Sequence, residues 1–291
     1  MDVVYHIGAH CTDDGELRTA LVRNRDRLAA EGIVVPYAAR YRTVLRDAIN
    51  SLQGAPASPE MQETLLDAIT EHDRIGRLVL SNENFISGGN RALGAGQFYP
   101  VAYEKAQGFR SLFPDAGCEF HVAIRNPAAF LPALYGRLRD VDYDQFIAGT
   151  DPLALRWSDF VVRLRDATPD ARVVVWCDED APLIWPEVLR TVAGVGPEVE
   201  LAGSTGRLAA MMSAPGLRKL EDYLAANPPE TVEQRRRITA AFLDKYALDD
   251  ALEEELDLPG WTYDYVEAIT EAYEEDAAEI AHLDGITFIA A

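Results

Sequence analysis

Apolar and polar positions along this chain change period in blocks, and the blocks predict strands and helices in alternation. Val3 to Ile7 reads as an apolar strand that turns through Gly8 into an amphipathic helix with Leu17, Leu21 and Leu28 on one face. Gly32 stands where a left-handed cap would close that helix, shortly before Pro36. Helical stretches follow at Tyr41 to Leu52 and Glu60 to Glu71, and Arg77 to Ser81 reads as a short buried strand. The glycine-rich segment Ile86 to Pro100 reads as a mobile loop of roughly 14 residues, long enough to be functional. A helix from about Tyr99 to Leu112 then leads to a strand over Cys118 to Ile124, with Phe120, Val122 and Ile124 facing one way and Glu119 and His121 the other. Tyr143 to Ala167 reads as helical. Ala171 to Cys177 reads as a central strand, because Val173, Val174, Val175 and Trp176 are apolar on both faces. Beyond Gly196 the chain turns helical and acidic. A hinge or loop is expected at Gly203 to Gly206, with helices over Gly216 to Ala226, Pro229 to Tyr246, a short piece near Ala251, and Thr262 to Leu283. Val266, Ile269, Tyr273, Ala277 and Ile280 give the last helix one buried stripe, and Gly285 to Ile289 closes the chain as a short strand or tail.

Composition narrows the class. At 291 residues with 48% hydrophobic positions, the chain can bury a large core. No apolar run approaches the ~20 residues of a membrane span, and the N-terminus lacks the basic and apolar regions of a signal peptide, so a cytoplasmic location is expected. The 27 basic residues against 48 acidic ones leave a net charge of -21, which opposes nucleic-acid or anionic-membrane binding and a polyanionic acceptor. Cys11, Cys118 and Cys177 form no C-x-x-C pair, so neither a zinc site nor a disulfide framework is expected. Cys118 and Cys177 fall at or in buried strands. Cys11 lies near a helix start, which lowers a thiol pKa, beside Asp13 and Asp14, which raise it.

The first strand–glycine–helix corner carries the candidate chemistry, since such a corner gathers backbone N–H groups and the positive helix end at one point. The Walker pattern fails there: Asp13 and Asp14 stand where its second glycine and lysine belong. The run YHIGAHCTDDGELRTAL resembles instead the opening of bacterial sulfotransferase-family proteins, H-I-G-A-H-K-T-G-T-T followed by a helix, G-I and a proline. His6, Ile7, Gly8, Ala9, His10, Thr12, Gly32, Ile33 and Pro36 match; Cys11 replaces the phosphate-binding lysine, and Asp13, Asp14 and Gly15 replace Gly-Thr-Thr. Ser81-Asn82-Glu83 is similar to that family's strand ending in Ser-x-Glu. Arg125, Pro127 and Tyr135 are similar to its R-x-P-x-x-x-x-x-S-x-Y, with Ala133 in place of the serine.

The resemblance implies a three-layer α/β sandwich with a parallel sheet, as in P-loop kinases. It divides the chain into a core over residues 1–200 and a helical C-terminal subdomain over 201–291. It also implies transfer of a sulfuryl group from phosphoadenosine phosphosulfate (PAPS) to a hydroxyl on a small molecule or carbohydrate. Glu83 and His10 would be catalytic, Glu83 as the base, while Gly8, Ala9, Cys11, Thr12, Arg125 and Tyr135 would bind the donor. The substitutions bear directly on that activity, because two unit charges ~4 Å apart at an effective dielectric of ~20 interact by roughly 4 kcal/mol. Asp13 capping the helix with Glu16 as its box partner, an anion held by other groups, and a cation bridging Asp13 and Asp14 all remain open readings of the corner. So does a non-catalytic binding or assembly protein on the same fold. Asp178, Glu179 and Asp180 read as acids opening a helix, and Arg235 to Arg237 as a solvated helix face.

Overall fold

Six parallel strands form the central sheet in the computed structural model, which describes residues 1–248 and 258–291. The strands are β1 (Asp2–His6), β2 (Ile33–Val34), β3 (Arg77–Ser81), β6 (Gly117–Ile124), β7 (Arg172–Cys177) and β8 (Ile286–Ile289). They lie in the order β2-β3-β1-β6-β7-β8. Strict alternation assigns their side chains to two cores. Val3, Tyr5, Leu78, Leu80, Phe120, Val122, Val173 and Val175 enter one, and Val4, Val79, Ala123, Val174 and Trp176 the other. Helices cover both faces, giving three layers. On the first face lie α3 (Ala38–Leu52), α4 (Pro59–Ile69), α5 (Ala102–Leu112), α6 (Pro127–Arg137) and α8 (Trp157–Ala167). On the second lie α1 (Glu16–Arg23), α2 (Arg25–Ala30) and α9 (Ala181–Ala193).

The chain winds outward from β1 in one direction to β3 and β2 and in the other to β6, β7 and β8. The carboxyl end of β1 is therefore a topological switch point, where crossover connections diverge and leave a crevice. His6 pairs in register with Ser81 on β3 and with His121 on β6, so these three polar side chains line up on the face beneath α1.

Two expectations change. The Ile86–Pro100 stretch is part of the core: it folds a small hairpin, β4 (Leu93–Gly94) with β5 (Gln97–Phe98), and buries Ile86, Ala92, Phe98 and Tyr99. Phe98 stacks on Trp157 at 3.9 Å, an offset aromatic pair that anchors the glycine-rich chain. The expected helix over 143–167 divides into α7 (Tyr143–Ile147), a 3-10 turn at Pro152–Ala154, and α8. The break begins at Ala148 and Gly149, whose φ values of 46° and 73° continue no right-handed helix. Only α10 (Gly206–Ala209), α11 (Ala214–Ala226) and α12 (Val232–Tyr246) share a small core of their own, around Leu208, Met212 and Leu220. The closing helix α13 (Tyr263–Ile280) places Tyr273 and Ile280 in the main core, and β8 completes the sheet. The helical piece expected near Ala251 lies outside the described residues.

Two charge clusters also prove to be tertiary ties. Arg236 on α12 reaches Glu187 of α9 at 3.3 Å. Among the three acids before α9, Asp178 pairs with Arg207 at 2.9 Å, and Glu179 accepts from the Asn126 N–H at 2.7 Å and the Tyr273 hydroxyl at 2.8 Å. Among the described residues no helix is long and apolar enough to cross a membrane.

Candidate functional site

The corner after β1 first continues the ladder with β6: the N–H groups of Ile7 and Ala9 donate to the carbonyls of His121 and Ala123, and Ala123 N–H returns to Gly8 O at 2.8 Å. Gly8 has φ of 111°, and a Cβ there would meet the His10 nitrogen at 3.2 Å and Glu83 Cα at 3.5 Å, so the corner lies tight against the end of β3. Asp13 then takes over the start of α1. Its carboxylate accepts the Leu17 N–H at 2.8 Å and the Gly15 N–H at 3.4 Å, and its carbonyl accepts the Glu16 N–H. The residue at the formal cap position is Gly15, in the left-handed region at φ 82°. The capping reading of Asp13 thus stands in the geometry, while Glu16 turns away toward Gly206.

Arginines meet this corner through its carbonyls. Arg125 donates to Cys11 O, and Arg207 from α10 donates to Thr12 O at 3.2 Å while pairing with Asp178. Asp178 is buried, which raises its pKa more than the Arg207 guanidinium lowers it, to about 7. Thr12 turns its hydroxyl inward to Ala9 O at 2.9 Å. Cys11 is buried, and that burial, against the pull of Arg137 and Arg125, pushes its thiol up to about 11.

His10 lies behind the corner. Its backbone N–H donates to the Tyr99 hydroxyl at 3.0 Å, its Nδ1 shares a 2.7 Å hydrogen bond with the same hydroxyl, and its Nε2 meets Asn84 Oδ1 at 3.3 Å. Burial lowers its pKa, so the ring is a neutral strut with both nitrogens engaged. Tyr135 packs against Tyr143 and Phe146 at 5.9 and 5.3 Å, in the aromatic rim of the core. Arg110 is bound to Asp170 at the opposite edge of the sheet.

Of the expected residues, Glu83 alone lines the open cleft of about 180 Å³ at the carboxyl ends of β1 and β3, with Gly8 packed directly behind it. His6, Asp13, Asp14, Arg18, Arg42, Ser81, Asn82, Asn84 and Arg137 complete the cleft. Arg137 of α6 bridges Asp14 and Glu83, the latter at 3.8 Å. The two aspartates therefore diverge, Asp13 to the helix amides and Asp14 to Arg137, and the bridging-cation arrangement is absent; among the described residues no cluster of three metal-ligating side chains occurs. His6 forms the floor: its Nδ1 shares a 2.9 Å hydrogen bond with Ser81 Oγ, its ring stacks on Trp176, and its Nε2 is buried with no hydrogen-bond partner among the described residues. Burial also lowers the His6 pKa, so it too is neutral at neutral pH.

Sequence reasoning reached Glu83 through its place after a strand. It did not reach Arg18, Arg42 or Arg207, and it gave His6 no role beyond a matched position of the motif and a polar residue at the end of an apolar strand. No protein-family model matches this chain, and neither the curated proteins nor the solved structures hold a match to it.

Proposed function

We propose that this chain is a ligand-binding protein of sulfotransferase-like architecture, that its ligand site is the cleft at the ends of β1 and β3, and that its first βα corner no longer holds PAPS. The observation that carries this reading is the Asp13 carboxylate on the Leu17 N–H at 2.8 Å, in the place where a phosphate cradle offers its helix amides to the ligand. The Ala9 and His10 amides are likewise committed inside the protein. A phosphate brought to the same point would meet a fixed carboxylate, a repulsion of roughly 4 kcal/mol at ~4 Å and an effective dielectric of ~20. Arg125, the expected partner of the donor's 3′-phosphate, is drawn to Cys11 O, and Tyr135 packs elsewhere. The donor therefore does not fit the corner, and no transfer step is derived through it. What supports a binding site is the switch-point crevice itself, lined by charged and amide side chains from the ends of two strands and the helices around them.

The test is thermal unfolding with phosphoadenosine phosphate. A ligand at 100 times its dissociation constant stabilises by about 2.7 kcal/mol, a shift of several degrees for a chain of this size. The expected result is no shift that depends on Arg125. A shift abolished by Arg125→Ala and kept by Arg42→Gln would restore sulfuryl transfer to a hydroxyl acceptor, with Glu83 as the base.

A further inference from the structure

Of the three acids in the cleft, each has a partner in the protein: Asp13 holds the Leu17 N–H, and Asp14 and Glu83 share Arg137. The groups left over are donors. Arg18 and Arg42 line the cleft with neither a hydrogen bond nor an ion pair among the described residues, in a chain where acidic residues outnumber basic ones by 48 to 27. The two guanidinium groups come from different helices, α1 and α3, yet the positive charge of each favours the ionised form of the Tyr41 hydroxyl against burial, and that of Arg18 also opposes a proton on His6. His6, 2% exposed, keeps its Nε2 unpartnered in the cleft floor. Asn82 Oδ1 accepts the Asn84 N–H and Asn84 Oδ1 meets His10, which leaves both amide NH2 groups as further donors.

We infer that the cleft binds a tetrahedral oxyanion headgroup, the phosphate or sulfate ester of a small molecule, on Arg18, Arg42 and the His6 imidazole. This rests on the reading of the cleft as the ligand site. Two forked guanidinium groups and an imidazole approaching from separate elements suit an acceptor with oxygens in several directions better than a flat carboxylate. The volume of about 180 Å³ is below the ~300–1,000 Å³ that encloses a drug-sized molecule, so the cleft seats the headgroup and leaves the remainder of the ligand outside.

Inorganic phosphate, sodium sulfate, sodium acetate and sodium chloride at matched ionic strength are the probes, read by thermal unfolding and by long-range proton–nitrogen NMR of the His6 ring. Phosphate or sulfate is expected to stabilise saturably where chloride does not and to move the His6 Nε2 resonance. Arg18→Gln or Arg42→Gln should weaken that effect by about tenfold. Arg139→Gln, outside the cleft, should leave it unchanged. Both cleft arginines are exposed and have no side-chain partner among the described residues, so their variants are expected to fold. Which of phosphate and sulfate binds more tightly separates the two esters. No saturable effect at tens of millimolar ion, an equal response to acetate, or an effect indifferent to both variants would overturn the anion site. That result leaves the functional reading standing, whereas an Arg125-dependent response to phosphoadenosine phosphate overturns the functional reading and leaves the anion site standing.

Discussion

At the scale of single residues, Asp13 does for α1 what a bound anion does in a phosphate cradle: it satisfies amides at the helix start and offsets the positive helix end. Asp13→Ala is expected to lower stability by about 1 kcal/mol in urea unfolding, the usual cost of a lost cap. Asp13→Asn, which keeps an acceptor oxygen, should cost less while strengthening oxyanion binding in the cleft, because it removes a negative charge from the lining. A variant that loses stability without gaining anion affinity would separate the cap from the charge. A second residue-level tie lies at the other edge of the sheet. Arg77 makes two 2.7 Å bonds to Glu119, which in turn meets His121 at 2.8 Å. Burial pushes the Glu119 carboxylate up, but hydrogen bonds from His121 and Arg77 outweigh it and hold it well below the ordinary range. Burial also holds His121 down at about 4, so its ring is neutral at pH 7. Arg77→Met leaves the half-buried Glu119 carboxylate with the neutral His121 ring as its remaining partner and should cost about 1–3 kcal/mol by chemical denaturation. A loss below 1 kcal/mol would mean that water reaches Glu119.

At the scale of elements, α8 is capped from outside its own sequence: Asp276 on α13 accepts the Trp157 N–H at 2.6 Å and the Ser158 N–H at 3.3 Å. Asp276→Ala leaves buried donors without acceptors and is expected to cost about 1–3 kcal/mol, with Asp276→Asn recovering part of it. Protection of the Trp157 amide in hydrogen exchange checks the site directly. This cap also marks the limit of what sequence can disclose. Strands buried on both faces announce themselves, and β3 falls on the expected residues, Arg77 to Ser81, because a helix has no reason to make such a run. The glycine-rich stretch looked mobile because Phe98 and Tyr99 are two apolar residues at the end of a polar segment. Their partners Trp157 and Phe160 are about sixty positions away. The cleft follows the same rule. Glu83 was legible from its place after a strand; Arg18, Arg42 and Arg137 each read as one more polar position on a helix. Only the meeting of α1 from one face of the sheet with α3 and α6 from the other, at the carboxyl end of β1, brings the three together.

At the scale of the whole molecule, the sheet order gathers charge at one edge, where the carboxyl ends of β1, β3, β6 and β7 meet the chain arriving from α10 and α13. Asp178, at the end of β7, ties that edge together, since its partner Arg207 also holds the first corner through Thr12 O. Its pKa, raised by burial to about 7 from an ordinary ~3.9, has a definite consequence for stability. Between those two values the folded protein binds a proton that the unfolded chain releases. The Asp178 contribution is therefore fully present below the unfolded value and is lost as pH rises through about 7. His121 works with the opposite sign: lowered to about 4, it makes the unfolded chain the better proton acceptor between there and ~6.5, so its contribution falls on acidification. The two slopes oppose each other across the mildly acidic range, and wild-type stability alone would hide both. Comparison with Asp178→Asn isolates one of them. The wild-type advantage over this variant should shrink by about 1.4 kcal/mol for each pH unit from ~4 upward and level off above about 7. Urea unfolding of both proteins at several pH values across that window measures the difference. A constant gap would show that Asp178 stays ionised beside Arg207 throughout, making the tie a permanent ion pair.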